Sequence, residues 1–348
     1  MTNLLPGIEL THVETPRLRT AIRTDDRQDG EVVLFVHGNV SSSLFWQECI
    51  LALPEGYRGI AADLRGFGES ETAPIDATRG VRDFSDDVLA LLDALGIERA
   101  HLVGWSMGGG IVMQMLLDRP EIASALTLVS PVSPYGFGAT KGADGQLTSP
   151  DGAGSGGASA GPDFVAAIAA GDRGAESQNS PRNVLNGLYF ANGFRSEHED
   201  MYVESMLSTV VGQDNYPGDS TPSENWPGSA PGTRGVLNTM TPGYYDVSGV
   251  IDLPSKPAIL WIHGADDAIV SDASMFDLAT LGSMGAIPGW PGAEECPSQP
   301  MVTQMRHVLD AYTAAGGACT EVILECGHAP MVEKPDEYQA AFTEFLLG

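Results

Sequence analysis

Along its first 130 residues the chain alternates short, continuous apolar runs with longer segments that are apolar on one face only. EVVLFV (31–36) and AHLVGW (100–105) are the runs expected of buried strands, and RGIAA (58–62) and ALTLVS (125–130) repeat the pattern. Ahead of them, GIELTHVET (7–15) and RLRTAIR (17–23) read as a hairpin. Between the strands, Phe84–Leu95 sets Val88, Leu91, Leu92 and Leu95 on one helical face, and Ile111–Leu117 reads as an apolar helix. Strands and helices in this alternation predict a mostly parallel sheet covered on both faces.

The pattern breaks after residue 131. Residues 136–162 are rich in Gly, Ala and Ser, a composition expected to bury no core. Weak helical segments follow at 163–171, 182–191 and 197–211, then a Pro/Gly-rich stretch over 212–235. Buried-strand signals return at PAILWIH (257–263) and CTEVILE (319–325), with helices expected over Met301–Ala315 and 336–347. The expected organisation is a core formed by 1–131 and 251–348, split by an insertion over 132–250. A second irregular stretch, 271–300, interrupts the later part of the core.

Composition narrows the choice of partners. Forty-six acidic residues against 18 basic ones give the 348-residue chain a formal charge of −28. Such a surface repels phosphate backbones and anionic membranes, and weakly disfavours anionic substrates such as CoA thioesters. No apolar run approaches the roughly 18 residues of a membrane span. MTNLLPGIEL at the start lacks a basic stretch followed by an apolar core, so a cytoplasmic protein is expected rather than a secretory precursor. Cys49, Cys296, Cys319 and Cys326 form no C-x-x-C pair and read as free thiols, with a Cys296–Cys319 bridge left open. There is no zinc spacing, and no G-x-G-x-x-G stands between a strand and a helix as a nucleotide fingerprint does, so neither a metal nor a cofactor is expected; Glu197-His198-Glu199-Asp200 reads as a solvated helix face.

Chemistry enters through G-x-S-x-G, which occurs at Gly104–Gly108 and again at Gly157–Gly161. The motif has meaning only between a strand and a helix, where a strained turn lifts the serine hydroxyl off the sheet. Ser106 has both neighbours; Ser159 has neither and reads as coincidence. A serine needs a histidine base, which is in turn oriented by a carboxylate. Loops after later strands offer Asp266-Asp267 and Cys326-Gly327-His328, giving the chain order Ser, Asp, His. His12, His198 and His307 lie away from strand ends, and His101 and His263 fall within strands.

On these residues the chain resembles the α/β-hydrolase superfamily of cap-bearing, esterase-like enzymes. The resemblance also rests on His37-Gly38-Asn39, on Asp63–Ser70 (DLRGFGES), on Gly264-Ala265-Asp266-Asp267, and on Gly327-His328-Ala329-Pro330 with Glu333-Lys334-Pro335 behind it. It implies a mostly parallel eight-stranded sheet with helices on both faces and a helical or loop cap inserted after the sixth strand. It further implies Ser106 as nucleophile and His328 as base. Asp267 is the implied acid, because Gly264, Asp267 and Val270 fit the family's frame and Asp266 does not. The oxyanion hole maps to the amides of Met107 and Asn39, with Val40 replacing Asn39 if the loop turns differently. His37 is expected beneath that loop, and Asp63 and Arg65 are expected to brace it. The extra glycines Gly109 and Gly110 read as close helix packing. The aromatics Tyr189, Phe190, Phe194, Tyr202, Trp226, Tyr244 and Tyr245 read as insertion core or pocket wall. The implied substrate is a small to medium, largely apolar ester or lactone, and the oligomeric state is left open. Two alternatives stand beside this reading. One is carbon–carbon cleavage of a diketone, although those relatives usually carry asparagine where Trp105 stands. The other is a slow or non-turnover small-molecule receptor. Ser106 excludes the aspartate-nucleophile epoxide hydrolases and dehalogenases.

Overall fold

The computed structural model describes residues 3–348, so the first two residues of the expected core range, and of the stretch read for a leader, lie outside the described residues. Eight strands form one sheet: β1 (Glu9–Glu14), β2 (Arg19–Thr24), β3 (Glu31–Val36), β4 (Tyr57–Ala62), β5 (Ala100–Trp105), β6 (Ala123–Val129), β7 (Ala258–Gly264) and β8 (Cys319–Leu324). They lie in the order β1-β2-β4-β3-β5-β6-β7-β8. β2 runs antiparallel to both β1 and β4, and every other pairing is parallel.

Alternation along β5 places the helices. The longer ones are α1 (Arg82–Ala94), α2 (Met107–Asp118), α3 (Pro162–Ala170), α4 (Glu199–Leu207), α5 (Met301–Ala314) and α6 (Pro335–Leu347). Gly104 faces α2, since a Cβ there would lie 2.3 Å from the Gly108 carbonyl oxygen. His101, three residues earlier and so on the opposite face, meets Phe342 and Phe345 of α6 edge-on at 5.5 and 5.6 Å. Helices therefore cover both faces of the sheet.

Three expectations need correction. CTEVILE was expected to be buried, but β8 is the last strand, with β7 on one side only, and Ile323 is 53% exposed. The helix expected over 197–211 ends at Leu207, where the Ser208 hydroxyl donates back to the Ser205 carbonyl at 2.6 Å; Val211–Gly212 then pairs with Tyr216–Pro217.

The largest departure is the glycine-rich stretch, much of which is buried, including all of residues 152–157. It packs through backbone and side-chain amides, with Phe137 as its one large side chain set against the apolar core. Gln299 accepts the Gly138 N–H at 2.6 Å and donates to the Gly136 carbonyl at 3.0 Å, while Gln304 donates to Thr140 and Gly142 at 3.1 and 3.0 Å. Asn238 accepts the Gly157 N–H at 2.9 Å and donates to the Asp219 and Arg234 carbonyls at 2.9 and 2.7 Å. Glycine permits the approach: a Cβ on Gly156 would sit 2.2 Å from Asn238 Oδ1. The irregular stretch 271–300 thereby acquires a structural role, because it carries Gln299 and also Asp277, which accepts the Gln299 N–H at 2.9 Å. All four cysteines are free thiols. Among the described residues no helix is long and apolar enough to cross a membrane.

Candidate active site

Ser106 forms the turn between β5 and α2 with φ 56° and ψ −120°. A non-glycine residue there costs about 1–3 kcal/mol and persists only where its surroundings fix it. Here the Ser106 N–H donates to the Val129 carbonyl at 2.9 Å, and its own carbonyl accepts from Gly109 and Val132, both at 3.0 Å. Gly108 makes room, since a Cβ there would lie 2.3 Å from the Val36 carbonyl oxygen. The Met107 amide consequently opens α2, where it has no intrahelical acceptor and the helix dipole favours negative charge. Gly109 and Gly110 pack closely, against Pro131 and against Tyr245 with Val132. Ser159 sits in a single 3-10 turn with its hydroxyl bound to the Gly156 carbonyl at 2.7 Å.

Asp267 and His328 arrive from the loops after β7 and β8. His328 Nδ1 donates to Asp267 Oδ2 at 2.8 Å, and Asp267 Oδ1 accepts the Ile269 and Val270 amides at 2.8 and 2.9 Å. Both residues are buried, whereas Asp266 is exposed. With the proton held on Nδ1 by the carboxylate, Nε2 is the acceptor, the tautomer a general base requires. Trp105 ties this loop to the serine turn: its indole N–H donates to the His328 carbonyl at 2.8 Å and the two rings lie 5.4 Å apart. Among the described residues Ser106 Oγ makes no hydrogen bond to His328, a looseness common in such pairs before substrate binds.

The turn after β3 lies against the serine, since a Cβ on Gly38 would be 2.9 Å from Ser106 Cβ. His37 is wholly buried beneath it. Its Nε2 accepts the Leu64 N–H at 3.0 Å and its Nδ1–H donates to the Gly38 carbonyl at 2.8 Å, which also accepts the Ser41 hydroxyl at 2.8 Å. In a trans peptide the N–H points away from the carbonyl. The two donors on Gly38 O therefore aim the Asn39 N–H outward, and it has no protein acceptor among the described residues. Burial lowers His37 to about 4, so the ring is neutral near pH 7. Val40, the alternative donor, adopts φ 46°. Asp63 braces the same loops by accepting Arg23 at 2.9 Å and the Ser43 and Glu69 amides at 2.8 and 2.9 Å. Burial alone would raise the Asp63 carboxyl, but Arg23, His37 and the hydrogen bonds from Ser43 and Glu69 outweigh it and hold the group low. Arg65 binds Asp87 through two bonds of 2.5 and 2.7 Å.

The family model described as the alpha/beta hydrolase fold matches residues 31–173. The chain has the α/β-hydrolase fold. RutD of Variovorax paradoxus, which carries the name of a carbamate hydrolase, is 44% identical over 103 residues, 29% of this chain and 38% of that protein. A 2-hydroxy-6-oxononadienedioate/2-hydroxy-6-oxononatrienedioate hydrolase of Comamonas testosteroni is 36% identical over 114 residues, 32% of this chain and 40% of that protein. Each match thus spans less than half the length of the curated relative. The crystal structure of carboxylesterase CesB (YbfK) from Bacillus subtilis shares the fold with a TM-score of 0.60 at 16% identity, over 99% of this chain and 93% of that one.

Two residues to which the sequence assigns no positioning part also hold the site. Three consecutive amides around His328 are satisfied from outside its loop: Gly327 and Ala329 donate to Glu333 at 3.1 and 3.3 Å, and His328 donates to the Tyr189 carbonyl at 2.8 Å. Glu333 had only its motif position as a signal, and Tyr189 only its aromatic character. Burial pushes the Glu333 carboxyl up, against the pull of its amide donors and of His328. Two open clefts of about 410 and 420 Å³ lie elsewhere, one beside Arg58 and Arg99 at the N-terminal ends of the strands, the other beside Trp261 and Arg306. Neither is at the carboxyl ends of the strands, where this architecture places its chemistry. Among the described residues no group of His, Cys, Asp and Glu is arranged to hold a metal.

Proposed function

We infer that the chain is a serine hydrolase of carboxylic esters or lactones, acting on a small to medium, largely apolar substrate. The observation that carries this reading is the buried 2.8 Å pair of His328 and Asp267, brought to the same sheet edge as a serine in a strained strand-to-helix turn. Ser106 Oγ attacks the carbonyl carbon as His328 Nε2 takes its proton. Asp267 keeps the ring in the required tautomer and stabilises the imidazolium. The Met107 and Asn39 amides donate to the developing oxyanion, each worth roughly 3 kcal/mol where such donors are preorganised. His328 then protonates the leaving alkoxide, and water activated by the same imidazole releases the acid. The fold shared with a carboxylesterase supports the reading.

A second reading, hydrolysis of a carbon–carbon bond in a diketone, is favoured by the similarity to the Comamonas testosteroni hydrolase and calls on the same three residues. Turnover of p-nitrophenyl esters of graded acyl length, with wild type beside Ser106→Ala, tests the first. Multiple turnover with a chain-length optimum is expected, falling by roughly a millionfold in the variant. Absence of ester turnover by folded wild type, with cleavage of a ring-fission diketone, would transfer the assignment to the second.

A further inference from the structure

Tyr189 comes from the segment between β6 and β7, yet it touches both halves of the candidate centre. Its phenol donates to the Asn39 carbonyl at 2.9 Å, and its own carbonyl accepts the His328 N–H at 2.8 Å. Its ring stands edge-on to His328 and Trp105 at 5.8 and 5.9 Å. It closes a π-helix over Leu185–Tyr189, a distortion that recurs at functional sites. Two residues later the Ala191 N–H donates to Glu333 at 2.6 Å, the carboxylate that also holds Gly327.

The Asn39 carbonyl matters because two successive peptides form the turn beside Ser106. His37 and Ser41 hold the first through the Gly38 oxygen. Among the described residues Tyr189 alone holds the second, through the Asn39 oxygen. Immediately after it Val40 takes φ 46°, a β-branched residue in the left-handed region that endures only when its neighbours over-determine it. Burial pushes the Tyr189 phenol far up, so it remains a donor at every working pH.

We propose that Tyr189 is a positioning residue. Its hydroxyl locks the oxyanion turn and its carbonyl locks His328, so donor amides and base come into register only when residues 185–191 are seated. The inference rests on the serine-hydrolase reading above, and Tyr189 acts through Asn39 and His328 without touching the reacting atoms.

Tyr189→Phe removes the hydroxyl and keeps the ring and the main-chain bond to His328. We expect kcat to fall at least about tenfold, part of the 100- to 1,000-fold that losing a whole oxyanion donor costs. KM should stay within about twofold, because those amides act on the transition state. Phosphonylation of Ser106 by a fluorophosphonate, followed by intact mass, should slow by a similar factor, since the phosphoryl oxygen needs the same amides. Tyr338→Phe is the control: its hydroxyl, on α6 and away from the site, is buried without a partner among the described residues, and both rates should match wild type. Rates are normalised to the sites the fluorophosphonate titrates. If the Tyr189→Phe loss lies wholly in the number of sites, the role is only structural and the proposal fails. It fails equally if both rates equal wild type while Ser106→Ala is dead, an outcome that spares the hydrolase reading. A wild type that is neither labelled nor active overturns both. A wild type that is labelled but turns over no ester still reports on Tyr189 through its labelling rate.

Discussion

Replacing Asp267 with asparagine separates charge and proton placement from shape. The carboxylate makes three bonds, with Oδ1 accepting the Ile269 and Val270 amides and Oδ2 accepting His328 Nδ1 at 2.8 Å. An asparagine has one oxygen, which the two backbone donors claim. Its NH2 group then meets Nδ1–H of His328, donor against donor. Relief requires the ring proton to move to Nε2, and a protonated Nε2 cannot take the Ser106 proton. The expected loss in kcat is about 10⁴-fold, or about 5 kcal/mol at 1.36 kcal/mol per factor of ten. Stability should change little, because shape and both backbone bonds survive. Asp266→Asn is the matched control: that side chain is exposed, and only its backbone N–H is engaged, with the Cys326 carbonyl at 3.0 Å. Initial rates on the best p-nitrophenyl ester, with urea midpoints for both variants, make the comparison. Asp267→Asn within tenfold of wild type refutes the tautomer argument, and a collapse in Asp266→Asn would move the acid to its neighbour.

Burial holds His37 at about 4 and His101 at about 3, below the ordinary histidine value of about 6.5. From about pH 6.5 down to about 4 the unfolded chain therefore binds more protons, so stability falls with acidification by up to about 1.4 kcal/mol per unit for each ring. Urea unfolding from pH 4.5 to 7 should show this slope, and His101→Gln should flatten it by about one proton; an unchanged slope would count against the buried neutral ring. Gly108→Ala drives a Cβ to 2.3 Å from the Val36 carbonyl and 2.6 Å from that of His37, both main chain. A loss of about 3 kcal/mol is expected by urea unfolding, and one below 1 kcal/mol would mean that α2 shifts freely. Asn238→Leu strands the Gly157 N–H and the Asp219 carbonyl, while the Arg234 carbonyl keeps the Asp219 N–H at 3.2 Å, so about 3 kcal/mol should go and subtilisin should cut within 136–162; intact resistance would show that the segment is held by other contacts.

Buried parallel strands are apolar on both faces, and this purely local signal made β3, β5 and β7 readable. Ser106 was readable because its turn needs strand, glycine, serine and helix within a dozen residues. His328 and the aspartate pair followed from the order of later strands, and a frame borrowed from resemblance favoured Asp267, where the structure places the bond to His328. An apolar run says nothing about whether neighbours lie on one side or two, so β8 was misread. The glycine-rich stretch was misread because its packing uses backbone and amides, invisible to hydrophobic patterning. Tyr189 stands 150 residues from Asn39, and no local pattern encodes a phenol meeting a carbonyl at that separation.

That same distance in sequence bears on how the protein is made. The glycine-rich stretch is secured by Gln299 and Gln304, which follow their partners by 161 to 164 residues. At roughly 5–20 residues per second on the ribosome, the securing side chains are synthesised roughly 10–30 s after the glycines. Until β7 is made β6 is an open sheet edge, and through the whole interval the tract beyond it has unpaired amides. The nascent chain is thus most vulnerable where the finished molecule is well hidden. A fragment stopped before residue 299 would leave the tract to proteases however well β1 to β6 had formed, and the last fifty residues set the moment at which it is sealed.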